Sequence, residues 1–163
     1  MSETPTAPNP LLDELKWVHG MLRRDLAACR RLAADAVRGA PAEEVREGLE
    51  RLQSRGPLFQ LRTNCLAYCR FVHHHHGLED AAIFPRVRRS APHLAEAVDR
   101  LEADHRVVSD LLDEVEAAAG DLTGTAAAQA RTRLAAALDT LADHLLEHLD
   151  YEEGVLGPVF LTW

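Results

Sequence analysis

The chain has 163 residues, enough for one domain with a sizeable core, and its 47% hydrophobic and 27% charged content suits an ordinary globular protein. Eighteen basic against 26 acidic residues leave a net charge of −8, which argues against nucleic acid or an anionic membrane as partner. Aromatics at 5% favour helices packed on helices over a β-sandwich, and no apolar run approaches the roughly 20 residues that span a bilayer.

Residues 1–10, MSETPTAPNP, are expected to be a disordered polar tail with no signal-peptide character. Pro10 is placed to open a helix. From there Leu12, Leu15, His19, Leu22, Leu26 and Cys29 recur in steps of three and four, the stripe of a bundle helix. This helix is predicted to run to about Arg38, where Gly39-Ala40-Pro41 stops it. A short amphipathic helix with Val45, Leu49 and Leu52 on one face follows, ending at Ser54-Arg55-Gly56-Pro57.

The second long helix reads Leu58, Leu61, Cys65, Tyr68, Val72, His75, Glu79, Ala82, with Pro85 expected to kink or fray its last turn. Ser90-Ala91-Pro92 is a tight break. The third helix shows Leu94, Val98, Leu101, His105, Val108, Leu112 and Val115 in the same rhythm. A loop over Gly120–Thr125, with Thr123 and Thr125 as N-cap candidates, leads to the fourth. That helix carries Leu134, Leu138, Leu141, Leu145, His148, Glu152 and Val155, and Gly157-Pro158 is expected to end it. The prediction is an all-α, up-down-up-down four-helix bundle over residues 11–158, with the short extra helix between the first two long ones and a C-terminal tail over 159–163.

The stripes are apolar except where they carry His19, His75, Glu79, His105, His148 and Glu152. In an antiparallel bundle the starts of helices one and three lie level with the ends of two and four, so these six collect in one layer. The pairs His75/Glu79 and His148/Glu152 are i, i+4, about 6 Å apart along the axis and roughly 40° around it, so both members reach one point. Buried carboxylates and imidazoles must be paired, neutralised or metal-bound, and convergence from four helices points to metal. Within the run His73-His74-His75-His76 the rhythm selects His75, with His76 the alternative. Nitrogen and carboxylate donors without thiolate suit iron, manganese or zinc. A lone histidine on such a stripe is more often a satisfied core residue; two His-x-x-x-Glu pairs level with two further histidines are not explained that way.

The segments FVHHHHGLEDAAIFP, EADHRVVSDLL and HLLEHLDYEEGVLGP resemble the hemerythrin-like domain, whose members carry a non-haem di-iron site in a four-helix bundle. The resemblance spans about Leu11 to Pro158. It implies His19, His75, His105 and His148 as terminal ligands, with Glu79 and Glu152 bridging two irons. The oxygen carriers of that family have a fifth histidine one turn away on the third helix. Here the neighbouring positions are Leu101 and Ser109, so His76 or His144 is the substitute to look for. Glu153 is a second candidate bridge, because the carriers use a spacing of five there.

With four histidines, two bridging carboxylates and a bridging oxo or hydroxo group, both irons have an open position. That favours chemistry on peroxide, O2 or NO by a redox enzyme or scavenger, with a gas- or iron-sensing module as the alternative and reversible O2 carriage third. No nucleotide fingerprint is present, so electrons are expected from a separate donor. The odd set Cys29, Cys65 and Cys69 lacks zinc-site spacing and suits a reduced, cytoplasmic protein. A monomer is expected.

Overall fold

The computed structural model describes residues 9–38, 57–122 and 127–163. The expected short helix after Pro41 and the caps at Thr123 and Thr125 lie outside them. Helix α1 runs over Pro10–Arg38, α2 over Pro57–Leu78, α3 over Phe84–Ser90, α4 over Ala95–Gly120 and α5 over Ala127–Phe160. A π-helical turn, Glu79–Ile83, joins α2 to α3, and a 3₁₀ turn, Pro92–Leu94, leads into α4.

Pro10 opens α1 as its position predicts: Leu12 N–H donates to Asn9 Oδ1 at 3.1 Å, the side-chain bond of an N-cap. The long helices form a ring in which α5 touches α1 and α4, and α2 completes the square. Contacts between α1 and α5 descend along one helix as they ascend the other. Arg23 reaches Asp150 and Glu153, Arg30 reaches Asp139, and Arg131 donates to the Ala36 carbonyl. That pair is antiparallel, as the bundle reading requires.

Two corrections concern prolines. Ala82, expected on the core stripe, is exposed, and the next buried position after Glu79 is Phe84. Pro85 cannot donate a backbone hydrogen bond and its ring crowds the preceding turn. The helix widens just before it, with the Phe84 N–H bonded five residues back to the Glu79 carbonyl. The inward face therefore reads Val72, His76, Glu79, Phe84, Val87 and Ala91, with one step of five.

The fourth helix does not end at Gly157-Pro158. It continues to Phe160, with Pro158 inside its last turn. Val159 and Phe160 are buried against Leu15, Phe84 and Val87. Burying two such side chains contributes about 1.5–3 kcal/mol each, which outweighs the roughly 3 kcal/mol of a proline inside a helix. The expected tail over 159–163 is likewise packed: Trp163 Nε1–H donates to Ser90 Oγ at 3.1 Å, and the Arg86 guanidinium lies 3.9 Å over its ring.

The apolar interior falls into two clusters. The larger one holds Leu22, Val72, Val108, Leu145 and Leu149, and the smaller one Leu15, Phe84, Leu101 and Leu156. On every long helix the polar stripe positions lie between them: His19 between Leu15 and Leu22, His105 between Leu101 and Val108, Glu152 between Leu149 and Leu156. Among the described residues no helix is long and apolar enough to cross a membrane.

Candidate metal centre

His19 comes from α1, His75 and His76 from the last turn of α2, and Glu79 from the first position of the π turn. His105 comes from α4, and His148 with Glu152 from α5. All lie in the layer between the two apolar clusters. His19, His76, Glu79, His105, His148 and Glu152 are each 5% exposed or less, so water does not neutralise their polarity.

Glu79 is the centre of the arrangement. Its Oε1 lies 2.7 Å from His75 Nε2 and 3.9 Å from His19 Nε2, while its Oε2 lies 3.2 Å from His105 Nε2. Glu152 Oε2 lies 3.3 Å from His148 Nε2 and 3.8 Å from His19 Nε2. His76 stacks on His105 with ring centroids 3.8 Å apart. Donor atoms thus gather in two groups that share Glu79: His19 with His75, and His76 with His105 and His148.

His76 therefore joins the cluster beside His75 rather than replacing it. Adjacent residues on a helix point about 100° apart. Because the layer extends towards both neighbours of α2, His75 turns to α1 and His76 to α4. His144 does not join: it is exposed, on a cleft that also touches Asp104 and His148. Glu153 is not placed between the two groups. It accepts from His19 Nδ1–H at 3.1 Å and from both Arg23 Nη groups, at 3.0 and 3.1 Å.

Glu153 has two counterparts that the sequence reading did not single out. His105 Nδ1–H donates to Asp80 at 2.8 Å, and His148 Nδ1–H to Asp104 at 3.3 Å. A carboxylate at Nδ1 fixes the tautomer and turns the Nε2 lone pair inward, the usual support of a metal-binding imidazole. The available signal was an acid adjacent in sequence to a stripe ligand, as Asp80 is to Glu79 and Asp104 to His105. Tyr151, next to Glu152 in sequence, lies under the Arg100 guanidinium at 3.8 Å. Tyr68 is a core residue whose hydroxyl donates to the Leu22 carbonyl. Cys29, Cys65 and Cys69 are free and buried, and none is among the gathered donors.

Without a cation the layer is electrostatically strained. Burial pushes the Glu79 carboxyl up, but the facing imidazoles of His105, His19 and His75 outweigh it and hold it well below the usual range. Burial and the neighbouring Glu79 push Glu152 up. Burial, then His105, pushes His76 down to about 2. For His19 and His105 burial acts downward yet is outweighed, chiefly by Glu79, and both are raised.

The donors fit a metal by a further observation. Among the described residues the buried side-chain nitrogens and oxygens without a hydrogen-bond partner are Nε2 of His19, His75 and His76, both carboxylate oxygens of Glu79 and of Glu152, and Arg62 Nε. All but the last belong to this layer. An unsatisfied buried polar atom costs about 1–3 kcal/mol, and cations satisfy the whole set at once.

Fold and site together define a helical-bundle protein with a buried histidine–carboxylate centre able to take metal cations. The chain belongs to the hemerythrin family: the model of the Hemerythrin HHE cation binding domain matches residues 11–160. Neither a curated protein nor a solved structure gives a significant match.

Proposed function

We propose that the chain holds two iron ions between its helices and acts through them on dioxygen, peroxide or nitric oxide, as a redox enzyme or scavenger. The convergence of seven buried, unpartnered donor atoms in one layer carries this reading. His19 and His75 with one oxygen of Glu79 would hold one ion. His76, His105 and His148 with the other oxygen would hold the second, and Glu152, near both His19 and His148, would join the two. Manganese or zinc suits the same donors.

When bound, the iron pair supplies redox chemistry that no side chain offers. The chain's own part is to orient and to exclude. Glu153, Asp80 and Asp104 hold the Nδ1 protons of three histidines, so that each Nε2 presents its lone pair inward. The apolar clusters above and below keep water out along the bundle axis, and Phe84 covers the His105 ring at 5.1 Å. Electrons for turnover come from a separate donor.

Counting His76 alters the expectation of equal openings, because five histidines divide three and two. That inequality favours a second reading, in which the His19–His75 side takes up a single small ligand reversibly, as a sensor or carrier. Metal analysis and an optical spectrum on protein purified without a polyhistidine tag, before and after peroxide, test both. Two irons per chain with peroxide consumption support the enzyme. A stable oxygenated form that survives cycling supports reversible binding, and zinc or no metal sinks the di-iron reading.

A further inference from the structure

The buried centre uses only half of the run His73–His76. His75 and His76 enter it, His74 is exposed, and His73 is partly so. His73 Nε2 nevertheless lies 3.6 Å from Asp113 Oδ1 and 3.7 Å from Glu116 Oε1, both on α4. One donor atom from each of the three falls within 4.8 Å of the others. Asp113 and Glu116 are i, i+3 neighbours and share a helix face, opposite His73 on α2. An imidazole and two carboxylates suit an intermediate divalent cation such as Fe²⁺, Mn²⁺ or Zn²⁺. With side chains 34%, 66% and 39% exposed, the triad is open to water, so an ion there exchanges readily.

A cleft of about 220 Å³ between α2 and α4 runs from His73, the triad's histidine, towards the interior. It is lined by His73, His76, Gly77, Asp80, His105 and Arg106 among others. His76 is 5% exposed and its Nε2 has no partner. The same cleft therefore touches an outer donor and an unsatisfied inner one, a helical turn apart. Arg106 in the lining opposes the approach of a free cation, so attraction by the chain's net negative charge is offset here and local donors must supply it.

We infer that His73, Asp113 and Glu116 form an outer, exchangeable divalent-cation site that feeds the buried centre through this cleft, from His73 to His76. The feeding role rests on the metal reading of the buried centre; the outer site does not. The test is titration of the full chain, stripped of metal by a chelator, with manganese(II), read by loss of the free-ion paramagnetic resonance signal. Filling of the buried centre is followed alongside as chelator-resistant manganese over time.

A tight class and one weaker class of sites are expected. His73→Ala, and separately the paired Asp113→Asn and Glu116→Gln variant, remove the weaker class and leave final tight occupancy unchanged. They slow filling roughly tenfold or more, the scale at which local charge raises an on-rate. His74→Ala changes neither. A weaker class that survives both variants, or filling at an unchanged rate, overturns the proposal. If wild type lacks the tight class but shows the weaker one, and the variants lose it, the outer site stands while the reading of the buried centre falls.

Discussion

The Nε2 atoms of His105 and His148 face each other at 3.1 Å while their Nδ1 protons are already held by Asp80 and Asp104. Two lone pairs are thereby pressed together unless a proton or a cation lies between them. Metal should accordingly raise the thermal midpoint of the chelator-stripped chain. An ion present at a thousandfold excess over its Kd adds about 4 kcal/mol. Thermal scans with and without ferrous iron check this, and an unchanged midpoint would break the metal reading.

The carboxylates behind the histidines should matter for affinity more than for folding. Asp80 and Asp104 are partly solvated, with side chains 46% and 32% exposed, so Asp80→Asn and Asp104→Asn should leave the helices intact. Each is expected to weaken metal binding about 10–100-fold by loosening the tautomer of its histidine. Competition against a chromophoric chelator measures this, and wild-type affinity in both variants would show that the hydrogen bonds are incidental.

Truncating the inner donors should remove metal outright. Glu79→Ala and Glu152→Ala are each expected to lose at least one ion per chain, and His76→Ala likewise, because its imidazole belongs to the three-histidine group. His74→Ala should lose none. Full metal content in either glutamate variant would refute the shared-carboxylate assignment.

Acid should destabilise the metal-free chain through His76. Its pKa is pushed down to about 2 by burial and by His105, whereas the unfolded chain takes up the same proton near 6.5. Stability from this group is complete above that value and falls as pH drops below it, by up to about 1.4 kcal/mol per unit. His19 and His105 are raised, so their contribution is complete below 6.5 and fades as pH rises through their folded values. It is constant on the acid side and cannot offset the loss. Urea midpoints of metal-free wild type and His76→Leu, from pH 6.5 down to about 5, should diverge; parallel slopes would contradict the assignment.

The bundle was legible because its signal is redundant. Each stripe repeats over five or more turns, so the error at Ala82 did not disturb the helix that carries it. The six polar interruptions were legible for the same reason, standing out against Leu and Val. His76 was harder, because a three-four rhythm selects one residue per turn and α2 contributes two, one to each neighbour. Asp80, Asp104 and Glu153 were harder still: they lie off the stripe, and Asp104 serves His148 on α5 rather than its neighbour His105. Such cross-helix pairing depends on rotation about each axis, which periodicity alone does not determine. The misplaced Ala82 and the helix end expected at Gly157-Pro158 share one cause: local pattern alone was followed, while the burial of Phe84, Val159 and Phe160 sets the inward face and carries the chain onward.

The widened turn at Glu79–Ile83 has a consequence for how this chain can change. One residue fewer there would restore ordinary winding, and the step of five from Glu79 to Phe84 would become the ordinary step of four. Phe84, Val87 and Ala91 would keep their inward face, as His75, His76 and Glu79 upstream would keep theirs. The extra residue is absorbed where it sits, so the donor layer and the apolar cluster below it hold one register through a single-residue edit.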